Sequence, residues 1–96
     1  MYSVETYDAG EAPGERRPLN HGVFASAADA LAAARLVIES NLSLSLTAGL
    51  SAADAFDAWR QYGDVPAIIP RGGAAPIEFD PFTFARERAR ELNQRV

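Results

Sequence analysis

Apolar positions recur every three or four residues through the middle of this chain, and that spacing predicts its longest element. From Phe24 to Leu42, residues Ala27, Ala30, Leu31, Ala34, Val37, Ile38, Asn41 and Leu42 fall on one helical stripe. Ser26 is placed to cap this helix, with Asp29 as a capping-box partner of favourable sign for the helix dipole. Alanines along the stripe let another backbone come close, so this is the expected central helix. Leu42, Leu44 and Leu46 then alternate with Ser43 and Ser45, and the reading ends the helix near Ser43 with an apolar connection up to the break at Thr47-Ala48-Gly49.

A second helix opens at Ser51, with Asp54 at capping-box spacing and Leu50 placed to staple onto Ala55. Its inward face is expected to hold Ala52, Ala55, Phe56, Trp59 and Tyr62, with Gly63 as a left-handed C-terminal cap. Asp80-Pro81 starts a third helix over 81–95, with Phe82, Ala85, Ala89, Leu92 and Val96 as its buried stripe.

Strand signals frame these helices. Tyr2 to Tyr7 alternates with β-branched and aromatic residues, and Leu19 to Phe24 reads as its antiparallel partner, Gly22 easing either a bulge or a close approach. The intervening 8–18 segment is a loop by composition. Ala67 to Ile69, between Pro66 and Pro70, reads as an edge or very short central strand, and Ile77 to Phe79 as a possible fourth strand. The predicted fold is one α+β domain over 1–96: a small, mainly antiparallel sheet of three to four strands packed on three helices.

Composition narrows the function classes. A chain of 96 residues without cysteine excludes a disulfide framework and any thiolate metal site, and one histidine excludes a multi-histidine site within a single chain. Thirteen acids against nine arginines and no lysine give a net charge of −4, a poor match to the phosphate backbone of nucleic acid. No apolar run reaches the ~20 residues of a membrane span. The first residues carry neither a basic start nor an apolar core, so a cytoplasmic protein is expected.

Candidate chemistry is sparse. No Ser-His-Asp set, carboxylate dyad, nucleophile elbow or phosphate loop stands out, and no cofactor is implied. The single Arg71-Gly72-Gly73 reads as a glycine loop, and Arg16 and Arg17 as solvated loop residues. His21 needs a nucleophile or orienting acid within reach to act, and Asp8 across the hairpin is the one conceivable partner. A ligand or enzyme site would draw on His21, Tyr62, Asp64 and Arg71.

Two apolar residues break the helical pattern instead. Leu36 points nearly opposite the central stripe, among Ala32, Ala33 and Ser40, and Phe84 lies off the third helix's stripe, one turn before Arg88. Leu36, Phe84 and Arg88 therefore form the candidate partner contact, most simply a homodimer, which makes a non-catalytic interaction or regulatory module the leading reading. RNA binding through the last helix's arginines is the weakest alternative.

The motifs Gly22-x-Phe24-x-Ser26, Ser51-Ala52-Ala53-Asp54, Tyr62-Gly63-Asp64-x-Pro66-x-Ile68-Ile69-Pro70 and Phe82-Thr83-Phe84-Ala85-Arg86-Glu87-Arg88 cover most of the chain from Gly22 onward. In these the chain resembles a family of small uncharacterised bacterial proteins of about this length. The resemblance implies a compact α+β domain and brings no activity and no catalytic residue.

Overall fold

The computed structural model describes residues 1–10 and 18–94. Its elements run β1 (Tyr2–Asp8), β2 (Leu19–Phe24), α1 (Ala27–Thr47), α2 (Ala52–Tyr62), β3 (Asp64–Pro70) and α3 (Pro81–Asn93). The α+β reading holds, with three strands and three helices. All pairings are antiparallel, in the order β2-β1-β3, so β1 is central and both partners are edges. Ile77 to Phe79 adds no fourth strand. Ile77 and Phe79 pack their side chains against the core instead.

The β1–β2 ladder slips where Gly22 predicted it would. Ser3 faces Val23 and Glu5 faces Asn20, so β2 advances three residues while β1 advances two. Gly22 takes up the excess at φ 131°, a region that side-chain-bearing residues avoid, and the Asn20 side chain accepts its N–H at 2.6 Å. β3 is longer than its flanking prolines suggested. It pairs with β1 from Tyr2↔Pro70 to Asp8↔Asp64. As an edge strand it accommodates both prolines without losing a central ladder.

Helix α1 is a full turn longer than expected, running through the Leu-Ser-Leu-Ser-Leu stretch to Thr47. The reason is a strict four-residue row: Ala30, Ala34, Ile38, Leu42 and Leu46 are the buried positions. Ending the helix at Ser43 would pull Leu46 out of the cluster it shares with Ala55 and Trp59, so burial overrides the local alternation. The predicted stripe was therefore too wide, since Ala27, Leu31, Val37 and Asn41 are only half-buried. Gly49, at φ 99°, turns the chain out of the helix.

Ser51 caps α2, its hydroxyl accepting from Asp54 N–H at 3.2 Å, and Asp80 caps α3 by accepting from Phe82 and Thr83 N–H. Two cores result. One joins Ile38, Leu42 and Leu46 to Ala55, Trp59, Val65, Ala85 and Ala89, and the other joins Val4 to Ala30 and Ala34.

Several helix-face assignments change. Tyr62 is 75% exposed because α2 ends there and its last turn overhangs the core. Gly63 is not left-handed, at φ −82° and ψ 179°. Phe82, expected inside, is 39% exposed and meets Trp59 edge-on at 5.3 Å. On α3 the described helix ends at Asn93, and Val96 lies outside the described residues, as do Arg16 and Arg17.

Candidate functional site

Helix α1 has three differently occupied sides. Its buried row faces the core. The next side meets α3, where Arg35 lies over the Phe84 ring at 5.7 Å and Glu39 pairs with Arg88 at 3.0 Å. The side opposite the core is uncovered by any described residue. There Leu36 is 62% exposed and Leu44 75% exposed, with exposed Ser40 midway between them. Residues four apart stack along one helix face, so these three form a single line.

Concavities flank that line. Beside Leu36 a shallow groove of about 370 Å³ is walled by Ala33, Val37 and Asn41 of α1 and by His21 of β2, with Asp64 at one end. Beside Leu44 a smaller hollow of about 240 Å³ is closed by Ser45, Ala58 and Tyr62. Asn41 borders both.

The polar groups here are largely committed to structure. His21 Nε2 lies 2.8 Å from Thr6 Oγ1, so the histidine's partner is Thr6 and not Asp8. Asn41 donates to the Val37 carbonyl at 3.0 Å and accepts from Asp64 N–H at 3.4 Å. The Asp64 carbonyl accepts from Trp59 Nε1 at 2.9 Å. Among the described residues neither a serine nor a carboxylate hydrogen-bonds to His21, and they assemble no nucleophile–histidine–acid set around it. Among the described residues no three histidine, aspartate or glutamate side chains cluster as metal ligands.

The four residues proposed from sequence as a ligand site do not converge. His21 and Asp64 share the groove, and Tyr62 lines the neighbouring hollow. Arg71 follows Pro70, at the far end of β3 from Asp64, roughly 20 Å away at ~3.3 Å per strand residue. It spends its guanidinium on Glu5 at 3.4 Å, and its backbone N–H on the Met1 carbonyl.

The partner-contact candidates also divide. Phe84 is not a free surface residue. It packs against the main core, with its ring 5.8 Å from that of Phe79 and Arg35 above it. Its place off the Ala85–Ala89 stripe reflects a second neighbour, α1, on that side of α3. Arg88 bonds Glu91 at 2.8 Å and Glu39 at 3.0 Å; the Glu91 bond foremost, with Glu39's charge, raises its pKa above the ordinary guanidinium value. Leu36 alone keeps the exposure its position predicts. Leu44 was missed, because a helix ending at Ser43 removes it from the Leu36 line; eight-residue spacing from Leu36 is the signal once the helix continues.

A further concavity of about 230 Å³ lies between α2 and α3, where Arg86 covers the Phe56 ring at 5.5 Å and Arg90 and Asp57 complete the wall. No helix among the described residues is long and apolar enough to cross a membrane. No family model, no curated protein and no solved structure matches this chain.

Proposed function

We propose that this protein is a non-catalytic interaction module that self-associates through the outer face of α1. The observation that carries this reading is the pair of exposed leucines, Leu36 and Leu44, in line on one face of α1 with uncharged Ser40 between them. Single exposed leucines are commonplace, whereas two on one helix face with a hollow beside each are suited to a partner. A small-molecule site in the groove beside His21 and Asp64 is the second reading, favoured by the polar pair at its rim. It is the weaker one, because His21 is tied to Thr6 and no arginine among the described residues lines the groove. A protein or self-contact, with neither nucleic acid nor membrane involved, in a cytoplasmic setting, is the working assignment.

Sedimentation equilibrium tests it. The unmodified protein should approach twice its 10.3 kDa mass with rising concentration, and Leu36→Glu should remain at that monomer mass with unchanged circular dichroism. An unmodified protein that stays monomeric at millimolar concentration would remove the self-association reading.

A further inference from the structure

We infer that the recess between α2 and α3 binds the phosphate group of a small phosphorylated molecule, held between Arg86 and Arg90. The two arginines stand four residues apart on α3, which places them one turn apart on a single face. Both line the hollow of about 230 Å³, together with Ala52, Ala53, Phe56 and Asp57 of α2. Among the described residues neither has a carboxylate oxygen within ion-pair distance, whereas Arg60, Arg71 and Arg88 each do. Two guanidinium groups thus converge on one recess with their charges uncommitted.

The surroundings favour an oxyanion of high charge. Arg86 lies over the Phe56 ring, 5.5 Å from its centroid, and this contact orders a side chain that would otherwise lose rotamer freedom on binding. A guanidinium is a planar fork that suits two oxygens of one group. Two of them match a phosphate monoester, about −1.5 to −2 at neutral pH, better than they match a single carboxylate. Ala52 and Ala53 are the first residues of α2, so the positive end of that helix adjoins the same recess. Asp57 is the opposing charge in the wall, and Arg60 pairs with it at 3.2 Å.

Size and charge pattern select a small ligand over a polymer. The recess falls just below the ~300–1,000 Å³ of ordinary ligand pockets, which leaves room for a phosphate and a short organic remainder along Ala52, Ala53 and Phe56. A nucleic-acid strand needs a track of cations. Here the basic surface stops after one turn, since Arg88 is held by Glu39 and Glu91 and Asp57 stands in the wall. The site shares no residue with the Leu36–Leu44 line of α1, so this inference and the self-association reading can fail independently.

NMR titration of the isotope-labelled protein with glycerophosphate tests it. Saturable shifts should appear at the Ala52 and Ala53 amides and at the Arg86 and Arg90 Nε–H groups, with a dissociation constant of roughly 0.1–1 mM. Arg90→Gln should weaken binding about ten-fold or more, the scale of a lost charge-assisted contact. The Arg90 side chain has no hydrogen-bond partner among the described residues, so this variant should keep the circular dichroism of the unmodified protein. Arg86→Gln should weaken binding similarly, and Arg86→Lys should recover part of the loss. Asp57→Asn should strengthen binding by roughly two- to five-fold, the scale of an exposed charge pair. Arg71→Gln, beyond the far end of β3, should leave it unchanged. Acetate, with less charge, should bind about ten-fold more weakly than glycerophosphate. Shifts that do not saturate, that lie outside this recess, or that survive both glutamine substitutions would overturn the inference. Acetate binding as tightly as glycerophosphate would overturn it as well.

Discussion

At Gly63 the chain leaves α2 and enters β3 with no turn residues between them, and the side chain it lacks matters more than its backbone angles. A Cβ built there would lie 2.5 Å from Trp59 Cδ1 and 2.8 Å from the Trp59 carbonyl. Trp59 has little freedom to retreat, being bonded to Asp64 and in ring contact with tilted Phe56 and edge-on Phe82. Gly63→Ala should therefore destabilise the fold by about 1–3 kcal/mol, the range of an overpacked core. A urea melt reads this directly, and an unchanged midpoint would show that the Trp59 indole and its backbone can both shift aside. Ser3 is the converse case. Its hydroxyl is buried and without a hydrogen-bond partner among the described residues, so Ser3→Ala should raise stability by about 1 kcal/mol in the same assay. Asp80 gives the residue-scale pH dependence. Its bonds from Thr83, hydroxyl first and then N–H, hold its carboxyl below the ordinary 3.8. A depressed folded-state pKa means the cap's contribution is complete above 3.8 and is lost as pH falls through the lower folded value. Asp80→Asn keeps an acceptor but cannot titrate, so its melting temperature should vary less with acidification below pH 3.8. The sequence marked Gly63 and Asp80 as special positions and explained only Asp80 correctly. A cap is a local matter of a few residues, whereas the contact that requires Gly63 depends on how Trp59 is held.

Helix α1 shows where element-scale reading succeeds and where it stops. Its start at Ser26 and its break at Gly49 were legible, because caps and left-handed turns leave signatures in single residues. Its length was not, because leucines alternating with serines satisfy strand and helix periods equally over five residues. The deciding quantity was the partner of Leu46, which lies on another helix. The same dependence explains why Leu31 is half-buried while Leu46 is in the core. Two substitutions a half-turn apart on α1 separate its sides. Ile38→Ala should cost about 2–5 kcal/mol, as for other fully buried aliphatic side chains. Leu36→Glu should alter the stability of the isolated monomer by less than about 0.5 kcal/mol. Thermal melts at high dilution provide the comparison, and a large loss from Leu36→Glu would mean that this side is covered within the monomer. Of the candidate site, Leu36, His21 and Asp64 were visible as residue types. Their shared groove was not, since it needs β2 beside α1 and β3 turned toward Asn41.

At the scale of the whole molecule, charge and topology matter most. The arginines of α3 are a weak basic patch, because Arg88 is spent on Glu39 and Glu91 within a chain of net charge −4. Filter binding with RNA and with duplex DNA should therefore show no retention at physiological salt; tight, steeply salt-dependent retention would contradict this. Topology has a temporal side. The central strand, β1, precedes both of its neighbours in the chain, and its register with β3 joins residues 56 to 68 positions apart, from Asp8↔Asp64 to Tyr2↔Pro70. On the ribosome β1 can acquire β2 early, but its other edge must wait until α1, α2 and β3 have all emerged. Through that interval a strand destined for the middle of a sheet stands open on one side. Nascent chains stalled after α2 should accordingly be trapped by chaperones more readily than chains stalled after β3, and the interval ends only when Pro70 clears the exit tunnel.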